Sequence, residues 1–353
     1  MASKIEENVP LAELTTLKIG GKARFFVAVE NEAEIIEAIQ FAAQNRLKIF
    51  ILGGGSNVLI ADEGFDGLVL QLALKGISNS QEKDGLAHLT AGAGTDWDEF
   101  VALCVEKNLQ GVECLSGIPG FVGGTPVQNV GAYGQEVSET IVSVRVFDRK
   151  TESFLDLLNS QCGFAYRTSI FNTTEANRYI VSAVAFALKL GGEPKIVYRD
   201  LRNYFGDAKP TLKETRAAVL KIRSEKSMVI NPQDPNSQSA GSFFKNPIVT
   251  REKFAEIEEQ AEKSGIKNVQ SFQVDEKSVK IPAAWLIEKA GFQKGYRDGR
   301  VGISTNHSLA IINRGGASAR DVLDLKNVIQ AKVREVFAVE LLPEPIFVGF
   351  PEN

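Results

Sequence analysis

Residues 115–134, LSGIPGFVGGTPVQNVGAYG, constrain this chain more than any other stretch. Six glycines and two prolines in twenty residues exclude a regular helix or strand, because glycine loses the most backbone entropy on ordering and proline lacks an N–H donor. The segment is also too apolar for a flexible linker. What remains is an ordered loop wrapped around something, with Ser116, Thr125, Gln128 and Asn129 offering polar groups to a large ligand. A second cluster, Gly53-Gly54-Gly55-Ser56-Asn57, follows the strand-like KIFIL. Successive glycines let backbone N–H groups approach an anion, and Ser56 and Asn57 add side-chain hydrogen bonds, so a pyrophosphate fits there. The spacing is not that of a P-loop, and VLIAD and GLVLQLAL read as strands where a dinucleotide fold would open a helix. Taken alone, this cluster is equally well a tight turn between strands. Two such loops in one chain point to a dinucleotide.

The surrounding pattern is α+β. Asn31 caps NEAEIIEAIQFAAQNR, whose Ile35, Ile39, Ala42 and Ala43 recur at helical spacing. Thr95 opens TDWDEFVALCVEKN as a capped helix with Asp98 at the capping-box position. SVRVFDRKT, ESFLDLL and RYIVSAVAFALKL are strands up to about Leu190, and composition shifts near residue 210, where a domain boundary is expected. Beyond TLKETRAAVLKIRSEK lie three amphipathic helices, in TREKFAEIEEQAEKSG, IPAAWLIEKAG and ASARDVLDLKNVIQAKVREVF, with short strands VGIS and SLAIIN between them. The tail VELLPEPIFVGF reads as a short strand followed by prolines.

At 353 residues the chain is long enough for two or three domains. Its charge of −4 is interspersed, without the basic stripe that nucleic acid requires. No apolar run approaches a membrane span and MASKIEENVPLAELTT has no leader-like core, so cytoplasmic residence is expected. Cys104, Cys114 and Cys162 lack CxxC spacing and read as packed thiols, and with two distant histidines no metal site is expected.

TLKIGGKARFF, ILGGGSNVL, LSGIPGFVGGTPVQNVGAYG, FAYRTSIF, AGSFFKNP, AAWLIEKAGF and LLPEP, spread over nearly the whole chain, resemble the UDP-N-acetylenolpyruvoylglucosamine reductases, also called UDP-N-acetylmuramate dehydrogenases. The resemblance implies a vanillyl-alcohol-oxidase-type FAD domain of two α+β subdomains, residues 1–75 and 76–210, and an α+β substrate-binding domain, 211–337. The C-terminal strand, 338–353, would return to the second subdomain. It places the flavin pyrophosphate on Gly53, Gly54, Gly55, Ser56 and Asn57. The second loop then embraces the flavin through Ser116, Gly117, Pro119, Gly120, Gly123, Gly124, Thr125, Gln128, Gly131 and Ala132. No histidine stands near either loop, so FAD is expected to be non-covalent. NADPH would reduce the flavin and leave before a UDP-sugar enolpyruvyl ether enters the same cleft, in a monomer.

That chemistry sends hydride to a vinyl carbon and negative charge toward its carboxylate, which a guanidinium pairs with while an acid supplies a proton. The resemblance gives these tasks to Arg167, Ser242 and Glu344, and substrate contacts to Tyr198, Lys226, Lys245 and Asn246. From the residues alone, Arg167 is more often a surface ion-pair residue, Ser242 more often a turn residue and Glu344 more often a solvated loop carboxylate, while Tyr198 is equally a half-buried aromatic and Lys226 a helix-terminal cation. Two departures stand out: Pro345-Ile346 follows Glu344 where many relatives have Val-Arg, and Lys289 stands where some have glutamine. A flavin oxidase of the same fold and a non-catalytic flavin or UDP-sugar sensor are the competing readings.

Overall fold

The computed structural model describes residues 5–79 and 84–351. Residues 1–4 of the N-terminal segment, 80–83 of the expected second subdomain and 352–353 of the tail lie outside them. The chain divides into two compact units: Met1–Val9, Ala23–Gly55 and Asp66–Val229 form the first, and Pro10–Lys22, Ser56–Phe65 and Ile230–Asn353 the second.

Among the described residues the first unit holds two larger sheets, a two-stranded pairing of Gly131–Ala132 with Gln135–Glu136, and four α-helices, α1 (Glu32–Gln44), α2 (Trp97–Glu106), α3 (Arg199–Phe205) and α4 (Leu212–Glu225). One sheet orders its strands Glu6–Pro10, Lys22–Val29, Phe65–Leu72, Lys48–Leu52. In it KIFIL runs parallel to its neighbour, with Ile49 opposite Leu68 and Ile51 opposite Leu70, and its last residue delivers the chain to Gly53. The other sheet centres on Tyr179–Leu190, where Val184, Phe186 and Leu188 are fully buried at period two. Phe186 meets Phe100 of α2 at 4.7 Å between ring centroids, with Trp97 at 5.6 Å from Phe100. Each such ring contributes about 1.5–3 kcal/mol by burial, and together they fix α2 to the sheet.

Asn31 caps α1 as expected, accepting from the Glu34 amide at 3.0 Å. The cap of α2 is Asp96, not Thr95: Asp96 Oδ1 accepts from the Glu99 amide at 3.0 Å, while Thr95 is buried and its hydroxyl donates to the Gly76 carbonyl. The one-residue shift releases Asp98 from capping. All three cysteines are free and buried, and burial pushes the thiols of Cys104 and Cys162 up to about 12 and about 11.

The second unit packs α5 (Arg251–Lys263), α6 (Ala283–Lys289) and α7 (Ala319–Phe337) with two antiparallel three-stranded sheets. Leu17, Ile19 and Leu59, from early in the chain, belong to its core beside Leu325, Ile329 and Phe337. A Cβ on Gly21 would lie 2.5 Å from the Gly64 nitrogen, and one on Gly64 2.0 Å from the Lys22 carbonyl oxygen.

Three features correct the expected domain plan. The break falls after Val229 and not near 210, because Ala218, Val219 and Ile222 of α4 pack with Cys114, Tyr133 and Leu201 of the first unit. The expected subdomain 1–75 is interrupted twice, since 10–22 and 56–65 belong to the second unit. The C-terminal segment does not return to 76–210. Its strand is Ile346–Val348, after the prolines, parallel to Val58–Ile60. Pro343 and Pro345 have no donor for a ladder, so pairing starts at Ile346, whose amide donates to the Asn57 carbonyl at 3.0 Å.

Asp62 carries the 56–65 segment onto α7, its carboxylate accepting from the amides of Ala319 at 2.7 Å and Arg320 at 3.1 Å. These are unsatisfied first-turn donors, to which an anion is attracted. Asp62→Ala is therefore expected to destabilise the fold by about 1 kcal/mol, seen as a lower urea midpoint at unchanged slope.

Candidate functional site

The two glycine loops meet backbone to backbone. A Cβ on Gly54 would lie 2.7 Å from the Gly120 Cα, and both neighbours are main chain, so nothing can swing aside. Gly55 and Gly120 take φ of +65° and +123°. By contrast, a Cβ on Gly53 or Gly124 would meet nothing within 4 Å. Protein packing requires glycine at 54 and leaves space in front of 53 and 124, which suits a pyrophosphate and an extended flavin cofactor lying against main chain.

Several residues expected to face that ligand are turned inward. Ser116 is fully buried and its hydroxyl donates to the Glu113 carbonyl at 2.7 Å. Thr125 is buried and donates to the Val122 carbonyl at 2.8 Å, and Gly123 packs where a Cβ would be 2.5 Å from the Ala93 Cβ. The Gly117 amide donates to Asp98 Oδ1 at 2.6 Å. These four shape the loop; Pro119, Gln128 and Ala132 are half-buried on its course.

Arg167 sits in a tight turn, φ +53°, in which Ala165 and Thr168 exchange backbone hydrogen bonds of 2.9 and 3.0 Å. The glycine-rich loop holds this turn at three points. Asn129, at φ +45° and 1% exposed, donates to the Ala165 carbonyl at 3.1 Å; the Ser169 hydroxyl donates to the Val127 carbonyl at 2.5 Å; and Arg167 Nη2 donates to the Gly131 carbonyl at 2.8 Å. Asn172 Nδ2 bonds the Arg167 carbonyl at 3.2 Å. Loop and turn are one hydrogen-bonded body, which supports the left-handed conformations that cost non-glycine residues about 1–2 kcal/mol each.

Asp98 and Arg216 form a two-pronged pair at 2.6 and 2.8 Å beneath Gly117. Burial opposes the charge on Asp98, but the hydrogen bonds from Arg216 and the Gly117 amide outweigh it and hold the carboxyl below its usual range. Next to it Tyr133, φ +49° and 9% exposed, packs edge-on to Tyr198 at 5.3 Å between centroids. Lys226, the cap of α4, holds its ammonium 5.9 Å from the Tyr133 ring and pairs with Asp200 at 2.5 Å. Burial disfavours the Lys226 charge, yet the Asp200 hydrogen bond raises its pKa overall, while burial raises that of Tyr133 and lowers that of Arg223. Tyr198 precedes α3 and is 45% exposed.

In the second unit the backbone next to Ser242 runs beside the backbone of Glu344. The Glu344 amide donates to the Phe243 carbonyl at 2.9 Å and the Lys245 amide to the Leu342 carbonyl at 2.9 Å, so residues 243–245 pair with 342–344 and Ser242 abuts that strip. Phe243 and Phe244 of that strip are buried, and Asn57 Nδ2 donates to the Glu344 carbonyl at 3.2 Å. Asn246 Oδ1 accepts from the Ala283 amide at 2.8 Å, which makes it a cap for α6 before any contact with a sugar. Lys289 is exposed in the last turn of α6, and Pro345 links Glu344 to the C-terminal strand.

Sequence reasoning missed Asp98, Arg216, Tyr133, Asp200 and the Glu113–Gln135 pair, whose 2.7 Å hydrogen bond is buried. Tyr133 stood inside the glycine-rich stretch and was within reach. The others look in sequence like ordinary helix-face and loop polar residues.

Comparison with known proteins adds the following. A model for the FAD binding domain matches residues 23–155, and one for the UDP-N-acetylenolpyruvoylglucosamine reductase C-terminal domain matches 233–348. UDP-N-acetylenolpyruvoylglucosamine reductase of Thermobifida fusca is 45% identical over 99% of both chains, and that of Streptomyces coelicolor 44% over 97% of this chain and 90% of its own. The crystal structure of the Thermus caldophilus enzyme of that kind is similar with a TM-score of 0.65 at 27% identity, over 97% of this chain and 98% of that one.

Two outcomes are expected. Gly54→Ala separates the loops and lowers the flavin absorbance per chain after purification, with a reduced thermal midpoint. Asp98, with its folded pKa depressed, stabilises the fold above the unfolded carboxylate value of about 3.9 and loses that contribution as pH falls through the folded one. Asp98→Asn is thus less stable than the parent at pH 7, and the gap narrows below about pH 4 in denaturation midpoints taken across pH.

Proposed function

The chain belongs to the UDP-N-acetylenolpyruvoylglucosamine reductase family, and on that premise we propose how its own residues divide the reaction. It reduces the enolpyruvyl ether of UDP-N-acetylglucosamine to UDP-N-acetylmuramate with FAD, in peptidoglycan precursor synthesis, and NADPH is the source of electrons. Gly53, Gly54 and Gly55 with Gly120 and Gly124 would hold the cofactor along their main chain. Bound there, FAD provides hydride for the terminal carbon of the enolpyruvyl group.

Negative charge then builds toward the neighbouring carbon and its carboxylate. Arg167 pairs with that carboxylate, its turn already fixed by the glycine-rich loop so that no ordering is needed when substrate arrives. The Ser242 hydroxyl delivers the proton to carbon, with Glu344 as its acidic partner. The observation that carries these two roles is the 2.9 Å bond from the Glu344 amide to the Phe243 carbonyl, which fixes a hydroxyl and a carboxyl on neighbouring backbone. A serine is a weak acid in water, and two buried phenylalanines of the strip reduce the water around it.

Lys226 and Tyr198 bind the diphosphate and Lys245 adds a cation, while Asn246 acts mainly by capping α6. An oxidase of the same fold would have no use for the 233–348 domain, and a sensor no use for the hydroxyl–carboxyl pair. We take the enzyme to be a cytoplasmic monomer.

Ser242→Ala separates the half-reactions. In anaerobic stopped-flow, bleaching of the flavin by NADPH stays near the parent rate, and its recovery on adding the enolpyruvyl UDP-sugar slows about 10²- to 10⁴-fold. Equal loss in both steps would refute the proton-donor role.

A further inference from the structure

We propose that Asp200 is a counter-ion that Lys226 exchanges for the substrate's diphosphate, so that Asp200 sets how tightly the UDP-sugar is held. The proposal rests on the reading of Lys226 as a diphosphate ligand. In the structure the Lys226 ammonium is engaged by Asp200 at 2.5 Å, with the two side chains 36% and 33% exposed. An incoming diphosphate meets a lysine already neutralised and a carboxylate beside it. Both work against binding, and neither is present in a site built only to attract anions.

The fold makes the exchange local. Leu201, next to Asp200, is fully buried among Ala218, Val219 and Ile222 of α4, and Phe205 packs against the same cluster one turn on. That apolar anchor keeps α3 seated without the ion pair, so Lys226 can change partners while the helix stays. Tyr198, at the start of α3 and edge-on to Tyr133, lies two residues from Asp200. The counter-ion and the proposed tyrosine ligand are thus carried by one short helix, and the Asp200 carboxylate holds Lys226 over the Tyr133 ring until an anion displaces it.

The test uses the flavin-loaded enzyme and the enolpyruvyl UDP-sugar. Asp200→Asn keeps the shape, removes the charge, and is expected to lower the KM for the UDP-sugar about two- to fivefold, the worth of a half-exposed ion pair. Because a positive charge is left uncompensated, that KM also rises more steeply with ionic strength than in the parent, which a packing defect would not cause. Lys226→Met raises the KM about tenfold or more. An unchanged or raised KM for Asp200→Asn, with Lys226→Met still impaired, overturns the exchange alone. A parent-like KM for Lys226→Met removes the diphosphate reading and the exchange with it.

Discussion

The approach of Gly54 to Gly120 is the constraint on which the cofactor site depends. Two main-chain segments sixty-six positions apart lie closer than any side chain permits, and that closeness aligns both glycine loops on one body. Beyond the two-residue pairing of Gly131–Ala132 with Gln135–Glu136, order comes from contacts with neighbours: the Trp97 amide on the Gly120 carbonyl, the Gly123 amide on Ala93 and the Val122 amide on Thr95. Helix α2 supplies the frame, because its aromatic pair fixes it to the central sheet.

A loop so rich in glycine loses much entropy on ordering, about 1–2 kcal/mol per residue, and buried polar groups offset it. Glu113 is fully buried, yet its carboxylate accepts from the Gly111 amide at 2.8 Å, from Gln135 at 2.7 Å and from the Lys195 amide at 3.1 Å. Asn129 uses both ends of its amide, on Glu136 and Ala165 as donor and on the Ser138 amide as acceptor. Saturated in this way, such groups fix one loop conformation, whereas a single missing partner would leave a desolvated polar atom costing about 1–3 kcal/mol. The same network reaches the Arg167 turn, so a catalytic guanidinium in the proposed scheme inherits its orientation from the cofactor loop.

The second unit solves a different problem. Ser242 and Glu344 stand 102 positions apart, and the segments that carry them are joined by a few backbone bonds between irregular strips without a full sheet. The prolines at 343 and 345 limit that pairing to a short stretch and deliver Ile346 to the strand Val58–Ile60. Asn57 bonds both ends of this arrangement, through its side chain to Glu344 and its carbonyl to Ile346.

The helices α1, α4, α5, α6 and α7 and the long strands were legible in sequence, because apolar periodicity and caps such as Asn31 are local signals. So were the glycine clusters and, through family motifs, Arg167, Ser242 and Glu344 as candidates. Tertiary structure alone decided the rest. Whether Asp96 or Thr95 caps α2 depends on Thr95 being drawn to Gly76, and only then does Asp98 turn to Gly117 and Arg216. The membership of α4, the destination of the last strand and the inward turn of Ser116 and Thr125 follow from which surfaces are buried together. Sequence spacing fixes what a segment can form by itself; partners drawn from remote segments are chosen by packing and by the need to satisfy every buried donor, and no local pattern encodes that.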